Sequence, residues 1–172
     1  SVDQGIEHQL PMPAAPEPGT LRSELEIRQQ LRDQLPERAR GKWLEPHGIE
    51  FRDVEPLDPI YPEKRPPQTA LWMRAMAKLP DDPIVHRALL AYASDHGLLR
   101  AAMLPHGLSF MRGNVRAASL DHAMWFHRDF RMDDWLLYVI DSPSASGARG
   151  LCPGSIFRRD GTLGAWAAEE GM

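Results

Sequence analysis

One cysteine in 172 residues, Cys152, excludes an internal disulfide framework and any zinc site built on several thiolates. It stands in GLCPG, a turn-like context, and reads as a passive thiol rather than a nucleophile. No apolar run approaches the ~18–20 residues of a membrane span, and the opening residues do not read as a signal peptide. A soluble, reducing, cytoplasmic setting with no membrane partner is therefore expected. A net charge of −4 and a pI near 6.0 offer no basic face, so no nucleic-acid partner is expected either. Neither a P-loop nor G-x-G-x-x-G is present. SPSASGARG is rich in serine but lacks the G-x-S-x-G elbow of a serine nucleophile. His122 and His127 face opposite ways on a strand, which argues against a shared metal site. Asp121 and His122 are adjacent on the same strand and cannot pair directly.

Proline is scarce in the rear: thirteen of sixteen lie before residue 84. That divides the chain into a front with linker-like stretches and a rear of regular elements. Residues 1–40 read as an extended arm with one short amphipathic helix. Ser23 and Glu26 have capping-box spacing there, Leu21, Leu25, Leu31 and Leu35 recur near helical spacing, and Pro36 closes the segment. Residues 41–172 read as the domain proper. GIEFRDVEPL is a strand candidate whose Ile49, Phe51 and Val54 do not alternate cleanly, and residues 67–79 form a stronger one with a helical alternative. DDPIVHRALLAYASDHG is the best-marked helix, with Asp82 as N-cap, Pro83 at the first helical position and Gly97 just past the end. Four strand-like stretches follow it, the last two joined at Asp160-Gly161 by a turn of the primed type. Trp125, Trp135 and Trp166 on these strands read as core. This order suits an α+β fold, a curved antiparallel sheet wrapped around one apolar helix.

Asp95 ends that helix. At about 100° per residue it shares an arc with Ile84, Ala88 and Ala91, with His86, Arg87 and Ser94 on the far side. Burial in an apolar stripe and the helix dipole would both raise its pKa. Two readings stand open: a frayed end where Asp95 meets water or caps an N–H, or a carboxylate poised as a base in an apolar pocket.

Longer stretches carry a resemblance. PDDPIVHRALLAYASDHGLL, PHGLSF, AASLDHAMWFHRDFRMDDWLLY, SPSASGARGL, GSIFRRDGTL and EEGM are similar, in order, to the second half of acyl-CoA thioesterase II, the TesB-type family. The resemblance implies a hot-dog fold and hydrolysis of fatty acyl-CoA to free acid and CoA, without metal or other cofactor. It implies a water-holding trio, with the Asp on Asp95, the hydroxyl on Ser119 and the Gln on Glu169. An ionised Glu only accepts hydrogen bonds where Gln also donates, so lower activity or a shifted pH profile is expected. Glu169 alternates in phase with Leu163, Ala165 and Ala167, an inward-looking face. Arg128 and Arg149 are the arginines nearest the motifs that could meet CoA, although a solvated charged face is the commoner role for either.

The family fuses two hot-dog units, and one is present here. A homodimer or larger homo-oligomer imitating the fused pair is therefore expected. The competing functional reading is a non-catalytic acyl-CoA-binding or assembly module, because half of the fusion and the amide are missing. A hydratase would need an Asp and a His together over substrate, and Asp95 and His96 diverge on a helix.

Overall fold

The computed structural model describes residues 5–35 and 37–172, so Pro36, the expected helix stop, lies outside it. Helix α1 (Glu24–Gln30) starts at the expected capping box: Glu26 N donates to Ser23 Oγ at 3.2 Å and Ser23 N to Glu26 Oε2 at 2.7 Å. A second short helix, α2 (Glu37–Trp43), follows. Strands β1 (Ile49–Asp53) and β2 (Gln68–Ala75) precede helix α3 (Pro83–Ser94) and the single turn α4 (Arg100–Met103). Then come β3 (Ala123–Phe126), β4 (Leu136–Asp141), β5 (Ser144–Ser146), β6 (Arg149–Arg158) and β7 (Leu163–Gly171). All pairings are antiparallel, in the order β1-β2-β4-β6-β7-β3, with β5 beside β6.

One face of the sheet packs on α3. Leu90 and Ala93 meet Phe51, Met73, Tyr138 and Ile156 in a single buried cluster, apolar contact being the main favourable term in folding. The other face is covered by the N-terminal segment. Residues 5–17 have no regular structure, yet Met12, Ala15 and Leu21 pack with buried Trp72, Leu137 and Phe157. Polar anchors hold the segment down: Trp72 Nε1 donates to Pro16 O at 2.9 Å, and Leu163 N to Gln9 Oε1 at 3.0 Å. The expected extended arm is thus extended but packed.

Four readings of the sequence need correction. First, α3 buries His86, Leu90, Ala93 and Ser94, while Ile84 and Tyr92 are each 74% exposed and Ala88, Ala91 and Asp95 lie on the same open side. The stripe expected to be buried is the outer one. The polar residues go inside because each finds partners: His86 Nδ1 accepts from Met132 N at 3.0 Å, and Ser94 Oγ lies 3.1 Å from both Ala91 O and His122 Nε2. Second, Cys152 is no turn residue; it is wholly buried in β6, where burial pushes its thiol pKa up.

Third, at the β6–β7 turn only Gly161 is left-handed (φ 88°). Gly161 N donates to Arg158 O at 2.9 Å, a three-residue loop ending in a left-handed glycine. The turn with two left-handed central residues joins β5 to β6, at Gly147 (φ 56°) and Ala148 (φ 59°). Fourth, Trp125 is 49% exposed on the edge strand β3, tilted against half-buried Trp166, and Trp135 is half-buried beneath Arg74. Trp72 is the buried tryptophan.

Candidate active site

The end of α3 is fastened from several sides. Tyr138 Oη donates to Ser94 O at 3.2 Å, His96 N donates to Ala93 O at 3.1 Å, and Gly97 turns the chain with φ 76°. Beyond that turn, Leu99 lies against β7 where Gly171 leaves room; a Cβ there would meet Leu99 carbons at 2.4 Å.

Asp95 is the C-cap of α3, exposed toward a cavity of about 380 Å³. Ser119 arrives from a segment paired with the end of β7. Ala118 N donates to Met172 O at 2.7 Å and Leu120 N to Glu170 O at 2.9 Å, which sets Ser119 opposite Gly171. Its Oγ donates to Asp95 Oδ1 at 3.2 Å. Glu169, two residues earlier on β7, points inward in the expected phase and is 1% exposed. The three expected residues therefore line one cavity.

Glu169 is the unusual member. Its neighbours are Asp95 and Ser119, but the Ser119 hydroxyl is directed to Asp95, and both Glu169 oxygens are buried without a hydrogen-bond partner. Burial pushes its pKa up from 4.5 to about 7. The Asp95 carboxylate adds to the rise, while nearby Ser119 opposes it. A protonated Glu169 has one O–H to give, which an acceptor such as Asp95 or a water can take.

The cavity widens from this polar end between Leu57, Pro59, Leu104, Leu108 and Phe110, and α1 and α2 supply Ile27 and Trp43 to its wall. An apolar chain with a polar head fits such a lining. A larger groove, about 850 Å³, lies at the opposite end of α3 beside Pro83 and His86, but none of the trio lines it. Its charges pair with one another, as Arg131 does with Asp81 and Asp133.

Neither Arg128 nor Arg149 lines the cavity. Arg128 donates to Leu163 O at 3.2 Å, and Arg149 pairs with Glu170 at 3.4 Å. Asp121 and His122 part company as expected: Asp121 accepts from Glu170 N at 2.8 Å, and His122 meets Ser94. His96 turns away from Asp95 and stacks on Phe51, with ring centroids 3.9 Å apart. Among the described residues no cluster of three or more His, Cys, Asp or Glu side chains could hold a metal ion, and no helix is long and apolar enough to cross a membrane.

Sequence reasoning missed a buried ionic cluster on the same cavity: Glu24, Asp53, His96 and Arg100. A signal was present, because Asp53 continues the period-two phase of Ile49 and Phe51 and so falls on the inner face of β1.

An antiparallel sheet packed on one helix defines the class. It is a hot-dog domain, similar in fold (TM-score 0.67) to a hot-dog protein from Alicyclobacillus acidocaldarius at 17% identity, over 98% of this chain and 56% of that one. Within that class the particular family is shown by sequence. The acyl-CoA thioesterase family model matches residues 55–172, and the chain belongs to that family. It is 34% identical to acyl-CoA thioesterase 2 of Haemophilus influenzae, over 99% of this chain and 59% of that protein. It also resembles the crystal structure of acyl-CoA thioesterase II TesB2 from Mycobacterium marinum, with 40% identity and a TM-score of 0.74 over 99% of this chain and 58% of that one. The chain thus spans less than three fifths of the length of these relatives.

Proposed function

We propose that the protein hydrolyses fatty acyl-CoA thioesters, with Asp95, Ser119 and Glu169 as its catalytic residues. The observation that carries this reading is the buried, unpartnered Glu169 carboxyl beside the Ser119–Asp95 hydrogen bond at the mouth of an apolar cavity. The acyl chain lies along the apolar wall and brings the thioester carbonyl to the trio. Water attacks that carbon while Asp95 accepts its proton and Ser119 orients it. The carbon–sulfur bond then breaks, and the thiolate leaves with a proton as CoA. Protonated Glu169 supplies the O–H that an amide would supply in relatives carrying Gln. No metal or other cofactor has a part in these steps.

Residues 41–172 form the catalytic unit in this reading, residues 1–40 an arm laid across it, and the compartment is cytoplasmic, which suits a lone buried cysteine. A second copy of the chain is the expected partner. The outer face of α3, with Ile84 and Tyr92, lies next to the open edge β3, with Trp125 and Phe126, and Arg87 bridges them over the Phe126 ring. Light scattering at micromolar concentration should read at least a dimer; a monomer would remove this part of the proposal.

Free-thiol release from a series of acyl-CoAs tests the activity. Asp95→Asn should lower the rate ~100-fold or more, the scale of a lost general base. Acyl-CoA binding without thiol release by the unaltered protein would favour a binding module instead.

A further inference from the structure

Of the N-terminal side chains that line the cavity, Glu24 is the one that meets the turn after α3. Glu24, the first residue of α1, is 9% exposed and directs both carboxylate oxygens at His96 Nε2, at 3.1 and 3.2 Å. Arg100 lies 3.6 Å away on the far side of the same turn and also forks onto Asp53 of β1. The imidazole of His96 is gripped at its edge by Glu24 and on its face by Phe51, and the backbone N–H of the same residue closes the last turn of α3. His96 is the residue next to Asp95. The side-chain partner of Asp95 is Ser119, at 3.2 Å, so the backbone of the turn 95–97 sets where the Asp95 carboxylate points.

We propose that Glu24 is a positioning residue: acting through His96, it holds the turn that carries Asp95 in register with Ser119 and Glu169. This rests on the thioesterase reading above. The physical argument is one of tolerance. A catalytic group displaced by about 1 Å can cost ~100-fold in rate, and a helix C-terminus is where a chain frays unless something outside the helix holds it. Here the holder comes from α1, a hydrogen bond to the carboxylate of the buried Glu24. Glu24 also lines the cavity, so a simple wall is the rival role, and kinetics separates the two. A wall acts on substrate binding, whereas a positioning residue acts on turnover.

The test compares Glu24→Gln, His96→Gln and the double variant in thiol release. Each single change should lower kcat roughly 10- to 100-fold with KM within about twofold, since the reacting geometry alone is disturbed. The double variant should be no worse than the poorer single, because both act along one path. Unchanged kcat, additive losses, or a loss confined to KM would each overturn the proposal. Should Glu24→Gln fail to fold, Glu24→Asp keeps the charge and shortens the reach; a lowered kcat supports the proposal and a wild-type kcat overturns it.

If the unaltered protein releases no thiol, the thioesterase reading fails separately, and backbone amide NMR decides the coupling alone. Shifts at Asp95 and Ser119 in whichever Glu24 variant folds would support the connection, and their absence would remove it.

Discussion

Two regions of one cavity bury carboxyl groups and surround them with different partners. At the N-terminal wall Glu24 is 9% exposed and Asp53 6%; at the end beside Asp95 and Ser119, Glu169 is 1% exposed. Burial alone would raise all three. For Glu24 the His96 hydrogen bond and the charges of His96, Arg100 and Arg28 outweigh burial and hold its pKa at about 2. For Asp53 burial and the neighbouring Glu24 outweigh the Arg100 fork and the charge of His96, and its pKa stays raised. Glu169 has no cation and rises to about 7. A buried carboxyl is thus held below its ordinary range only where several cations and a hydrogen bond face it, as at Glu24; the partners of Asp53 fall short of that, and Glu169 has no cation at all.

The sharpest way to break this contrast is to remove the shared cation. Arg100→Ala leaves Glu24 and Asp53 facing each other in a dry site and should cost ~3–5 kcal/mol, the usual scale for one partner lost from a buried pair. Urea unfolding at neutral pH measures it, and a loss under ~1 kcal/mol would mean that the cluster behaves like a surface pair.

A smaller effect sharpens the contrast. Because the folded-state pKa of Glu169 is raised from 4.5 to about 7, its contribution to stability is intact below pH 4.5 and lost as pH rises through 7. The loss amounts to ~3 kcal/mol once both states are ionised. Glu24 has the opposite sign: its lowered pKa contributes stability above pH 4.5 that disappears as pH falls toward 2. Glu169→Gln should therefore flatten the stability profile between pH 5 and 8 and leave the acid limb alone. In turnover, the unaltered protein should lose rate as pH rises through about 7, whereas the Gln variant should not. Identical pH profiles would dismiss the idea that a carboxyl proton replaces an amide donor.

Much of the frame was legible in the residues. Ser23 with Glu26, and Asp82 with Pro83 and Gly97, mark helix ends because their partners lie within a few residues. Glu169 was legible as inward-facing because strand periodicity carries phase from Leu163 onward. The outer face of α3 was not. Hydropathy ranks His86 and Ser94 as surface residues, yet Met132 N meets His86 Nδ1 and His122 meets Ser94 inside the fold. The phase of β1 marks Asp53 as inward-facing, but its partner was not legible, because Arg100 is brought in from beyond α3.

By itself, the sequence determined what short-range chemistry can determine: caps, strand phase, the presence of an acid at a helix end, and the family. The tertiary structure decided which face of α3 is buried, that the N-terminal segment covers the sheet and reaches His96, and that Glu169 is buried deeply enough for its pKa to rise. The physical reason is that each of these is a balance between desolvation and partners supplied by distant parts of the chain, and only the folded protein brings those partners within reach.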